Sequence, residues 1–328
     1  MRILITGGSG TISTAVVERA LAEGHEVSVL NRGTRGAPPA GVEHLVGDAK
    51  DASALRGLVE GREWDAVVQF LAFTPDDVER DLHSFVGHAG QYVLISSATV
   101  YERPSRSVVI TEETPLGNPF SAYASAKIAC EDALRASSGV PWTIVRPTQT
   151  YDERRLPVAI HTGRPGAVLQ RMLAGKPVLV HGDGESLWTS TWNADFAVGL
   201  VGLLGNPDAY GRAVHITAEE SLTWNQMYAT LGEVAGVTPD LLHVSTDMLI
   251  DVRAELEGAL LGDKATSVLF DTSLVRSLVP AYAPATSFRQ GVERCWAFLQ
   301  AHPELLEPDA ALDALHDDVA ARRAAWAR

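Results

Sequence analysis

Residues 2–5 form a short apolar run that meets a glycine-rich turn, Thr6-Gly7-Gly8-Ser9-Gly10-Thr11-Ile12-Ser13, and an amphipathic stretch follows to about Gly24. Glycines between a strand and a helix let backbone N–H groups approach an anion at the positive helix end. The next apolar run, Glu26-Val-Ser-Val-Leu30, completes a strand–helix–strand unit. Together the three pieces predict a dinucleotide-binding turn and a parallel sheet. Ser13 stands where a third glycine is usual, which predicts slightly looser packing of helix on strand.

Further strands are expected at 43–46, 65–71, 91–96 and 142–146, with helices at 51–61 and from Pro75 to Gly87. Strands alternating with helices at this spacing give an α/β fold with a doubly wound parallel sheet. The end of the second strand normally selects the cofactor, because an acidic residue there binds the ribose 2′-hydroxyl. Here it reads Asn31-Arg32-Gly33-Thr34-Arg35, with two guanidiniums and no carboxylate. NADP is therefore expected in preference to NAD. Asp48, after the third strand, is placed to accept a hydrogen bond from an adenine amino group.

Tyr123 precedes Lys127 by one helical turn, so both side chains share a helix face and the ammonium favours the phenolate. A phenol near its ordinary pKa of about 10 is a poor base at neutral pH, and a neighbouring cation is what would change that. Ser97 ends the apolar run 91–96 and can hydrogen-bond the same substrate oxygen.

Thr6-Gly-Gly-Ser-Gly10, Asp48, Ser96-Ser97, Tyr123-x-x-x-Lys127 and Arg146-Pro147 occur in the order and spacing of the short-chain dehydrogenases/reductases. Over residues 1–300 the chain resembles their extended branch, which includes nucleotide-sugar epimerases and dehydratases. The resemblance implies a Rossmann-like fold, a nicotinamide cofactor and Ser97, Tyr123 and Lys127 as the catalytic set. It implies a cofactor site of Gly7, Gly10, Thr11, Ile12, Asn31, Arg32, Arg35, Asp48, Ala49, Leu71, Ala72, Phe73, Ser96, Tyr123, Lys127, Pro147 and Thr150. Substrate contacts are expected from Thr74, Thr99, Gln149, His161, Trp188 and Trp192.

Departures from that family narrow the reading. Gln69-Phe-Leu-Ala72 is bulkier than the relatives' His-x-Ala-like segment. The connection between the fourth and fifth strands is too short for the helical insertion that builds their dimer, so the oligomeric state stays open. Ala98-Thr99 replaces the acidic pair of the dehydratases, and water elimination would lack its general acid. Trp188 and Leu260 stand where nucleotide-sugar relatives carry arginines that grip a pyrophosphate. A less charged, sugar-like substrate is expected, with Arg164, Arg171, Lys176 or Lys264 as compensating cations.

Residues 1–150 are expected to form mainly the dinucleotide-binding domain. Residues 151–328 are expected to form mainly a smaller α/β substrate-binding portion, with strands returning to the main sheet and a C-terminal helix at about 309–326. Residues 147–155 read as a polar loop, and Asn193 reads as a helix cap. A net charge of −14 opposes nucleic acid and anionic membranes. Two cysteines, no leader-like start and no apolar run approaching the roughly 18 residues of a membrane helix point to the cytoplasm. No histidine has metal-ligand spacing, so no metal is expected. The competing class is a non-catalytic dinucleotide-binding sensor or an RNA-associated relative.

Overall fold

The computed structural model describes residues 1–326 apart from 35, 37 and 162. β1 (Arg2–Thr6), α1 (Thr11–Ala22), β2 (Glu26–Asn31) and β3 (Val42–Val46) open the chain. There follow α2 (Ala52–Val59), β4 (Ala66–Gln69), α3 (Pro75–Phe85), β5 (Tyr92–Ile95), the short β6 (Val109–Ile110), α4 (Ala122–Arg135) and β7 (Trp142–Pro147). Next come β8 (Gln149–Tyr151), α5 (Ala167–Leu173), β9 (Val178–His181), β10 (Leu187–Trp188), β11 (Ser190–Trp192), α6 (Asn193–Leu203) and β12 (Arg212–Ile216). β13 (Leu222–Thr223), α7 (Trp224–Ala235), β14 (Leu241–Val244) and β15 (Leu269–Phe270) precede two longer C-terminal helices, Phe288–Ala301 and Ala310–Trp326.

Seven parallel strands lie in the order β12-β7-β5-β4-β1-β2-β3. Side chains alternate across the sheet, so Ile3 and Ile5 join one core layer and Leu4 the other. The first layer is closed by α1 packed against α6, the second by α2, α3 and α4. Local chemistry starts these helices, and α3 begins at Pro75 as the sequence predicts. Asp51 accepts from the Ser53 and Ala54 N–H groups, Thr74 and Asp77 cap α3 reciprocally behind Pro75, and Ser121 accepts from Ala124 N–H. Each such cap stabilises its helix by about 1 kcal/mol.

Two readings of the second half are corrected, at residues 149–151 and at Asn193. Residues 149–151 are strand rather than loop, because β8 pairs in parallel with β11 and buries Tyr151. β12 extends the main sheet beside β7, with Val214 and Ile216 fully buried. Asn193 does not cap α6; Trp192 holds that position, and the Asn193 amide instead donates to Thr11 O at 3.1 Å. Small paired strands, β9 with β14, β10 with β13 and β15 with β6, surround a separate core containing Trp224, Tyr228 and Leu249. Among the described residues, no helix is long and apolar enough to cross a membrane.

Candidate active site

The glycine turn joins β1 to α1 in a conformation that ordinary side chains resist. Gly7 has φ +105° and Gly8 φ +65°, and a Cβ on Gly8 would come within 2.4 Å of Val29. Ser13 does not loosen the packing: it is buried, and its Oγ accepts from Gly10 N–H at 2.9 Å. The first intrahelical bond runs from Thr14 N–H to Gly10 O, so Thr11, Ile12 and Ser13 present backbone donors at the positive helix end. Asn31 braces the turn from β2, donating to Gly7 O at 3.1 Å. From the other side the Thr11 hydroxyl donates to Asp152.

Ser97, Tyr123 and Lys127 come together from β5 and α4. Ser97 and Tyr123 line the same cavity, with Ser97 close enough to favour the phenolate, and the Thr99 hydroxyl donates to Ser97 Oγ at 2.9 Å. Lys127 is 2% exposed and donates to Ala72 O at 2.7 Å and Ile95 O at 2.9 Å. Its Nζ lies 4.4 Å from the Phe73 ring centre and 5.9 Å from that of Tyr123. Burial lowers the ammonium pKa to about 8. In this state the lysine does not acidify the phenol as the sequence suggested. Desolvation raises the Tyr123 pKa above its ordinary value, although the Ser97 hydroxyl works in the opposite direction. The ammonium has turned to the strand-end carbonyls, which outweighs the helical proximity read from the sequence.

Beneath this group, Arg146 on β7 grips Glu131 on α4 through Nε at 2.9 Å and Nη2 at 2.6 Å. Ser96 Oγ donates to the same carboxylate, so Ser96 faces the helix and lines none of the cavities described below. A second buried network lies under the β4 end. Gln69 accepts from the Thr6 hydroxyl and donates to Asp81, which Tyr92 and Arg80 also contact. Burial raises Asp81 to about 6.

Three cavities meet around these elements. One of about 410 Å³ is lined by Gly7, Asn31, Arg32, Asp48, Ala49, Leu71 and Phe73. The Asp48 carboxylate there also accepts from Lys50 N–H. A second, of about 290 Å³, holds Ile12, Ser97, Thr99, Tyr123, Pro147, Gln149, Thr150, His161 and Trp188. Gly10, Thr11, His161 and Trp192 line a third, of about 930 Å³, between α1, α6 and the segment after β8. The 410 Å³ and 290 Å³ cavities flank the glycine turn, and the residues lining them fit the two ends of a dinucleotide cofactor. Thr74 is occupied in capping α3 and lines none of the three. Arg35 lies outside the described residues.

Of the four proposed compensating cations, three are used elsewhere. Arg164 pairs with Glu307, while Arg171 and Lys176 hold Asp313 of the last helix. Lys264 does line the 290 Å³ cavity, beside Asp263, with which it pairs at 3.1 Å. Trp188 and Trp192 are 2% and 6% exposed, and Trp192 packs edge-on against Tyr151. Arg155 lines both this cavity and the large cleft, and the sequence reading passed over it. The available signal was the Arg154-Arg155 pair in a segment following a sheet strand.

The NAD-dependent epimerase/dehydratase family model matches residues 3–217. The chain belongs to that family. It is 28% identical to 2′-dehydrokanamycin reductase of Streptomyces kanamyceticus, over 86% of this chain and 80% of that protein. It is 26% identical to a chloroplast stem-loop binding protein of Arabidopsis thaliana, over 74% of this chain and 65% of the relative. UDP-glucuronic acid 4-epimerase from Bacillus cereus, solved with NAD, shares the fold with TM-score 0.72 and 19% identity, over 95% of this chain and all of the other.

Proposed function

We propose that this family member is an NADP-preferring oxidoreductase acting on a secondary alcohol or ketone of a sugar-like substrate. The observation carrying this is the meeting of the Ser97 and Tyr123 hydroxyls in one cavity above the buried Lys127 ammonium. A bound nicotinamide supplies hydride exchange. Tyr123 exchanges the proton of the substrate oxygen, which the Ser97 hydroxyl beside it orients. Lys127 has three donors and spends two on carbonyls, leaving one for a cofactor ribose hydroxyl.

Arg32 supports NADP, since it lines the adenosine-side cavity with no carboxylate partner among the described residues. Trp188 and Leu260, both buried, supply no charge to hold a diphosphate-sugar, and the similarity to 2′-dehydrokanamycin reductase supports a substrate without one. The similarity to a solved epimerase favours a second reading, in which the ketone turns over and the hydride returns to its other face.

Tyr123→Phe tests the proposal. Turnover should fall by about 10²–10⁴-fold while NADPH binding, followed by fluorescence, is retained. Undiminished turnover rejects the assignment. Native mass spectrometry separates the two readings, because a tightly retained cofactor favours the epimerase and a readily exchanged one the reductase. A chain that binds stem-loop RNA but neither nicotinamide cofactor would support the non-enzymatic class suggested by the plant relative.

A further inference from the structure

The glycine turn is short of one donor. Gly10 N–H, which would otherwise point at an anion on the turn, is taken by Ser13 Oγ. The neighbouring cleft is lined by four carboxylates, Glu18, Asp152, Glu153 and Asp195, and by four arginines, of which Arg19 and Arg164 pair with carboxylates outside the lining. A diphosphate resting on the turn therefore needs a compensating cation.

The cations around the three cavities are mostly committed. Arg19 pairs with Glu23, Arg154 with Glu153, Arg164 with Glu307 and Lys264 with Asp263. Arg32 and Lys50 have no ion-pair partner among the described residues, but both line the adenosine-side cavity, Lys50 with its Nζ 5.9 Å from the Phe73 ring centre. Arg155 makes no ion pair or side-chain hydrogen bond among the described residues. It lines the cleft together with Ser9, Gly10 and Thr11, and the smaller cavity together with Ile12 and Tyr123.

Its backbone is fixed beside the turn. Arg155 N–H donates to Asp152 O at 3.2 Å and Arg154 N–H to Asp152 Oδ1 at 3.0 Å. The Asp152 carboxylate in turn accepts from the Thr11 hydroxyl. The segment that carries Arg155 is thereby pinned to the first residue of α1. We propose that Arg155 closes over the glycine turn and clamps the diphosphate of the bound dinucleotide, supplying from the second half of the chain the charge that the turn lacks. A planar guanidinium suits two phosphate oxygens at once.

This inference rests on the nicotinamide-cofactor reading above. The test compares wild type, Arg155→Gln and Arg155→Lys by fluorescence titration with NADPH, NADH, ADP-ribose and adenosine, with melting temperatures checking the fold. In Arg155→Gln the dissociation constants for NADPH, NADH and ADP-ribose should rise by about tenfold or more, and adenosine binding should not change. Arg155→Lys should recover part of the loss, and the salt dependence of NADPH binding should be steeper in wild type. Equal constants in wild type and Arg155→Gln would overturn the proposal. So would a loss as large for adenosine as for ADP-ribose, or an effect confined to the KM of the second substrate. Turnover of Tyr123→Phe is a separate readout, so failure of the catalytic assignment is visible independently of these constants. Wild type that binds none of the dinucleotides would refute both.

Discussion

The two halves of the chain use charge differently. In the first half, Arg32 lines a cavity with no ion-pair partner among the described residues, and a buried pair lies deeper, where Arg146 grips Glu131 below β5 and α4. First-half pairs such as Arg19–Glu23 and Arg80–Asp77 are local, whereas in the second half basic side chains fasten remote segments: Arg171, 1% exposed on its side chain, reaches both Asp313 and Asp317 of the last helix. Arg155, at the junction, has no ion-pair partner among the described residues and lines the cleft beside the glycine turn. A cation's presence in the sequence therefore says little about binding until its carboxylate partners are known.

The largest effect is expected at the deepest pair. Glu131→Ala leaves the Arg146 guanidinium and the Ser96 hydroxyl buried without their acceptor, and should cost about 3–5 kcal/mol. A melting temperature close to wild type would show that this pair does not hold α4, and with it Tyr123, to the sheet.

Lys127 gives a pH test of the same region. Its pKa is about 8 in the fold against 10.5 as the ordinary value, so the unfolded chain binds more protons between those limits. Stability should therefore rise with pH across that window. Denaturant titrations of wild type and Lys127→Met should differ in this slope, and parallel curves would place the lysine in water.

In the second half, Asp313→Ala removes the shared acceptor of Arg171 and Lys176, with an expected cost of about 1–2 kcal/mol. Limited proteolysis should then release the last helix earlier. Unchanged cleavage would mean that apolar contacts through Leu312, Leu315 and Val319 suffice. The smallest expected effect belongs to the free arginine. Arg32→Ser should lower the preference for NADPH over NADH by about tenfold, measured as the ratio of dissociation constants, with little change in melting temperature.

Much of the first half was legible in the sequence because its signals are local. Glycine spacing, strand alternation and a helix-starting proline such as Pro75 act over a few residues, and the parallel sheet follows from their order. The second half was less legible because its elements are defined by distant partners. β8 exists because β11 lies beside it, and Asn193 bonds Thr11 across 182 positions. Nothing near Asn193 distinguishes that bond from a helix cap.

The candidate site divides in the same way. Residue order alone nominated Ser97, Tyr123 and Lys127, since strand ends and one helical turn suffice to bring such groups near each other. Only the tertiary structure decided that the Lys127 ammonium bonds two carbonyls, so that burial rather than the lysine dominates the Tyr123 pKa. Likewise, folding decided which arginines stay free, because an ion pair forms where two distant segments pack and a one-dimensional pattern does not contain that distance.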